Sequence, residues 1–75
     1  MATEENTSLG ASRVRLDFNP SSNVDVAAIK RLTAALIDLC IKLDKGNGEQ
    51  RRIIALANNA YEEAAMWAVK AATFG

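Results

Sequence analysis

The stretch from Gly48 to Gly75, GEQRRIIALANNAYEEAAMWAVKAATFG, reads as one long helix with apolar residues on nearly every face. Ile53, Ala57, Ala60, Ala64, Trp67, Ala71 and Phe74 succeed one another at alternating steps of four and three, the spacing of a helix-packing seam. Two further apolar lines flank that seam: Ile54, Tyr61, Ala65, Ala68 and Ala72 form one, Leu56 and Met66 the other. One neighbouring helix cannot cover all three, so this helix calls for several partners. A chain of 75 residues is one domain, and at that size only about 60% of the unfolded surface is buried on folding, which leaves stability marginal. Cys40 is the only cysteine and histidine is absent, so neither a disulfide nor a structural zinc site supplies the deficit. Oligomerisation is the remaining device for so small a scaffold.

The other segments are read by the same rules. Residues 1–12 are polar, small and aperiodic, and are expected to form a flexible tail ahead of a domain spanning 13–75. Arg13 to Phe18 alternates polar residues with Val14, Leu16 and Phe18, a pattern that predicts an extended arm. With no second strand to pair with, the arm is expected to lie along a helix. Asn19-Pro20 turns the chain, because the proline ring fixes its own φ and biases the preceding residue away from helix. A first helix is predicted from Ser22 or Asn23, where Ser22 to Asp25 resembles a capping box, to about Asp44. Its seam is Ile29, Leu32, Leu36, Leu39 and Leu43, widened by Ile37, Cys40 and Ile41. Lys45-Gly46-Asn47-Gly48 ends it: Gly46 suits a left-handed cap, and Asn47 with Gln50 suits the next helix start. So short a connection makes the helices antiparallel. Asp44, Arg51 and Arg52 each oppose the nearby helix dipole, and pairing across the turn is expected to offset this. The predicted fold is all-α, an arm followed by a two-helix hairpin, assembling into a compact homo-oligomer.

Composition narrows the function. The formal net charge is zero, which argues against a DNA or RNA polymer as partner, since gripping one needs a basic face. No run approaches a membrane span, and the first residues lack the basic start and apolar core of a signal peptide, so a cytoplasmic chain is expected. Asn6-Thr7-Ser8 fits the glycosylation sequon, which carries no meaning in that compartment. Catalysis is poorly provided for. The commonest general base is missing, Cys40 lies within an apolar run, and Glu62 and Glu63 are adjacent on a helix and do not face one another. No metal or cofactor is implied, and Gly46-Asn47-Gly48 is read as a turn. Lys30 and Arg31, read as surface cations away from the leucine seam, follow closely on Phe18 and Asn19. An arm folded back on its helix brings an aromatic ring, an amide and a cation together, the set that suits a stacked base with a held phosphate. Thr33 and Lys70 are by themselves ordinary polar residues.

RVRLDFNPSSNVDVAAIKRLTAALIDLC, together with YEEAAMWAVKA, resembles small phage proteins of the hairpin family that includes the anti-CBASS sponges and, more distantly, the Thoeris anti-defence proteins. The likeness covers Arg13 to Thr73; Phe18-Asn19-Pro20, Leu39-Cys40 and Glu63 to Ala68 carry it most strongly. It implies a sponge that binds cyclic oligonucleotide messengers of bacterial defence, without cleaving them, so that the effector never fires. It also implies a hexamer of interlocked trimers, with dinucleotide pockets between protomers and, in some members, trinucleotide pockets on the threefold axes. The family's aromatic and asparagine fall on Phe18 and Asn19, its phosphate-binding base on Lys30 or Arg31, and its trinucleotide pocket on Thr33 and Lys70. A lysine at 70 lacks the fork that an arginine there would offer phosphate. A different class of function fits the same seams, namely a helical hairpin that bridges other proteins and takes no small ligand.

Overall fold

Local signals start and stop each helix. The structure, a computed structural model, describes residues 8–19 and 22–74, in which three helices and no strand form. Helix α1, Leu9–Val14, starts where the Ser8 hydroxyl accepts from Ala11 N at 3.0 Å. It closes in a Schellman motif: Leu16 N donates to Ala11 O at 2.9 Å, Arg15 N to Ser12 O at 3.2 Å, and Arg15 takes the left-handed conformation at φ 55°. A residue other than glycine in that region costs about 1–2 kcal/mol. The predicted extended arm is therefore corrected. The alternation of Val14, Leu16 and Phe18 arises from a helix end and a turn, with Phe18 N bonded to Arg15 O at 2.9 Å. Residues 8–12, read from sequence as tail, carry the cap and most of α1; residues 1–7, with most of the sequon, lie outside the described residues, as do Pro20 and the turn predicted on it.

Helix α2, Val24–Lys42, is capped by Asn23, whose side chain accepts from Val26 N at 3.0 Å, so the cap is Asn23 alone and not a Ser22–Asp25 box. Helix α3, Gly48–Ala72, begins under Asn47, which accepts from both Glu49 N and Gln50 N. Gly46 supplies the expected left-handed residue at φ 86°. Gln50 does not reach back to the cap; it brackets the end of α2, accepting from Lys45 N and donating to Leu43 O, each at 2.8 Å. Asp44 pairs with Arg51 across the turn as expected, through Nε at 3.0 and 3.1 Å, whereas Arg52 turns to Glu49.

α2 and α3 form the hairpin and α1 packs across α2. There the backbones touch. A Cβ on Gly10 would stand 2.0 Å from Ala34 O, and Gly10 N donates to Asp38 Oδ1 at 2.7 Å. The core is small: Val14, Ala34, Ala65 and the fully buried Ile37, with Leu16 and Tyr61 against it. Asn58 is buried beside these helices, and its Oδ1 has no hydrogen-bond partner among the described residues.

The lines of residues that carry this packing are not the seams. Leu32, Leu36, Leu39 and Leu43 on α2 are exposed, as are Ile53, Trp67 and Phe74 of the second seam and the flanking pair Leu56 and Met66. The flanking lines, Ile37 on α2 and Tyr61 with Ala65 on α3, make the hairpin instead. The protein is a slab of 43 × 32 × 12 Å, little more than one helix layer deep. A layer that thin closes one set of faces and leaves the seams open.

Candidate functional site

A pocket of about 260 Å³ opens where the end of α1 meets α3, lined by Arg13, Val14, Arg15, Phe18, Lys30, Glu62, Ala65, Met66 and Val69. Its floor comes from the core residues Val14 and Ala65, and its polar groups gather around the end of α1 from all three helices. The Schellman turn leaves the carbonyls of Arg15 and Phe18 without helical partners, and Lys30 Nζ donates to both, at 3.0 Å to Arg15 O. A cation at a helix C-terminus is favourable, since the dipole is negative there. Burial lowers the Lys30 pKa below the usual lysine value, and the charge of Arg15 lowers it further.

The Phe18 ring is half exposed, at 53%. The Arg15 guanidinium carbon lies 4.3 Å from its centroid and Lys30 Nζ 5.2 Å from it, both within cation–π range. Arg13 is held on α3: its Nε and Nη2 donate to Glu62 Oε1 at 3.0 and 2.7 Å, and Nη2 also to Asn59 Oδ1 at 2.7 Å. Three cations thus surround the pocket against one carboxylate, Glu62, which is already paired. An apolar floor, an open aromatic face and a positive rim suit a planar base carrying phosphate.

The predicted convergence of Phe18 with a cation is present, and the cation is Lys30. Lys30 is not a surface residue, however. It is 6% exposed, because its stem spans from α2 to the α1 turn and its ammonium is enclosed by carbonyls. Arg31 is exposed and lines no part of the pocket. Asn19 lies just outside it. Its amide brackets the start of α2, accepting from Asn23 N at 3.1 Å and donating to Asn23 O at 2.9 Å. The Thr33 hydroxyl bonds back to Ile29 O at 2.7 Å, and Lys70 is exposed on α3 with its ammonium 5.9 Å from the Trp67 ring; neither joins the pocket. Sequence reasoning missed Arg13 and Arg15. The signal is the pair of arginines in RVRLDF, which the alternation places among the polar positions of an extended arm. Among the described residues no cluster of three or more potential metal ligands occurs, and no helix is long and apolar enough to cross a membrane.

A short capped helix folded onto a helical hairpin, with a basic aromatic pocket at their junction, defines a small all-helical hairpin domain. The chain belongs to the Acb2/Tad1 hairpin-domain family, whose profile matches residues 11–73. That match covers the end of α1, the pocket and both hairpin helices, and a general anti-defence role fits it. No curated protein and no solved structure matches the chain.

Proposed function

We propose that the protein is an anti-defence sponge that binds cyclic oligonucleotide second messengers in the cytoplasm of a phage-infected bacterium and holds them intact. The observation that carries this reading is the half-exposed Phe18 ring flanked by two cations in a positively rimmed pocket, on a chain of the Acb2/Tad1 hairpin family. Phe18 stacks on a base and the rim faces phosphate. Asn19 shapes the turn that presents the ring. Arg31, Thr33 and Lys70 lie outside the pocket of one chain, so their contacts with a dinucleotide or trinucleotide require a neighbouring protomer. A homo-oligomer, with the hexamer as the favoured form, brings them there and covers the open leucine and tryptophan seams.

The test is titration of the purified protein with cyclic dinucleotides, cyclic trinucleotides and cyclic ADP-ribose isomers, followed by denaturation and chromatography of the released ligand. Tight binding with intact recovery is expected. Linear products beyond a no-protein control would mean catalysis, and no binding across the panel would end the reading. Phe18→Ala is expected to weaken a bound dinucleotide by about tenfold or more, since stacking contributes roughly 1–3 kcal/mol per base.

A hairpin that bridges other proteins is the second reading, favoured by the exposure of Leu32, Leu39, Trp67 and Phe74. Light scattering separates the two. A self-contained oligomer that retains nucleotide supports the sponge, and a folded monomer that binds none supports the bridging module. Ala64→Glu, which places a charge on the open seam of α3, is expected to break the oligomer.

A further inference from the structure

The pocket has three cations, and two of them are committed. Arg13 is tied by Nε and Nη2 to Glu62 and Asn59 across the junction with α3. Lys30 is enclosed, with its ammonium bonded to the carbonyls of Arg15 and Phe18. Among the described residues the Arg15 guanidinium forms no ion pair with any carboxylate and donates no hydrogen bond, and its residue is exposed. It lies over the Phe18 ring. Stacking on a ring occupies the flat face of a guanidinium and leaves its N–H edge available, the edge that matches two oxygens of a phosphate. Arg15 also occupies the left-handed region at φ 55°, where a residue other than glycine is uncommon. A glycine would close the same Schellman turn without strain, so an arginine there is suited to something besides the turn.

We propose that Arg15 is the residue that grips the phosphodiester of the bound nucleotide, and that Lys30 is a positioning residue, which holds Phe18 and Arg15 in place through their backbone carbonyls. The inference rests on the sponge reading and sharpens it: ring and fork are presented side by side from one turn, the base on Phe18 and its own phosphate on Arg15. Lys30 fixes that turn from below. It raises the local positive potential, and two of its ammonium's three donors are spent on the turn.

The experiment uses the full chain, with cyclic GMP–AMP as probe. Calorimetry at two or more salt concentrations is paired with thermal unfolding for the wild type, Arg15→Asn, Arg15→Lys and Lys30→Met. Asparagine tolerates the left-handed region, so Arg15→Asn is expected to keep the wild-type melting temperature. It should lose tenfold or more in affinity and flatten the dependence of binding on salt. Arg15→Lys should fall between, keeping the charge and losing the fork. Lys30→Met should lower the melting temperature, and the salt dependence of the binding that survives should flatten less than in Arg15→Asn. Should Arg15→Asn melt early, Arg15→Gly repeats the test without backbone strain. Wild-type affinity and salt dependence in the Arg15 variants, with the flattened dependence moving to Lys30→Met, would overturn the assignment and leave the sponge standing. Failure of the wild type itself to bind any of the cyclic nucleotides would remove the sponge reading and this inference with it.

Discussion

The two connections of the chain are built on opposite plans. Between α2 and α3 every residue from Ile41 to Glu49 is exposed, and the turn is held by its own neighbours: Asp44 accepts from Gly46 N at 2.8 Å, Asn47 caps the next helix, and Gln50 bonds back to residues 43 and 45. The corner between α1 and α2 depends on distant partners. Gly10 reaches Asp38, 28 residues on; Lys30 reaches Arg15, 15 back; Arg13 reaches Glu62, 49 on. A turn stabilised by local hydrogen bonds forms wherever those residues occur in that order, whereas a corner stabilised by long-range contacts forms only when the whole chain has come together. The pocket sits at the second kind. Its polar groups are held by packing and not by one loop, which is what a preorganised site requires.

Substitutions of equal size at the two connections test this contrast. The largest effect is expected from Gly10→Ala. Its methyl meets a backbone carbonyl that cannot swing aside, so α1 must lift from α2. Denaturant unfolding should show a loss of about 3 kcal/mol, at the upper end for overpacking, with loss of the pocket. A variant as stable as wild type would mean that α1 docks less closely than described. Lys30→Met comes next. It removes the donor for two turn carbonyls while keeping the stem, and a loss of about 1–3 kcal/mol is expected, measured the same way.

At the outer turn the same kind of change should matter less. Gly46→Ala meets no atom within 4 Å, so only the positive φ resists it, and a loss of about 1 kcal/mol is expected. If that loss matched the Gly10→Ala value, the contrast between local and long-range connections would fail. The smallest effect concerns acid. The Gly46 N–H, and after it Arg51, hold the Asp44 carboxyl below its usual value of 3.8. A carboxylate whose folded pKa is depressed contributes stability above its unfolded pKa and loses it as pH falls through the folded value. A carbon-detected titration should therefore place Asp44 below 3.8, with its small contribution lost on further acidification. Arg51→Ala should move that midpoint upward only in part, since the larger influence, the Gly46 N–H, remains. A midpoint at or above the usual value in the wild type would show that the turn is not formed as described.

The sequence by itself determined the helical hairpin: the limits of both long helices within three residues, the antiparallel turn with Gly46 and Asn47, the Asp44–Arg51 pair, and more apolar surface than one hairpin can cover. Each of these follows from residues close together in the chain, where helical period, caps and turn chemistry act directly. It also placed Phe18 and a first-helix cation together. Only the tertiary structure decided which apolar lines close the hairpin, because the seams and the lines beside them satisfy the same helical period, and the period alone does not say which face meets the other helix. The tertiary structure also decided that RVRLDF is a helix end and not a strand, since α1 is held by a glycine contact and by Lys30 from another helix. Which cation is buried and which is open, Lys30 or Arg15, was invisible in the chain for the same reason: a lysine becomes a structural group only when carbonyls with lone pairs to spare are brought to it.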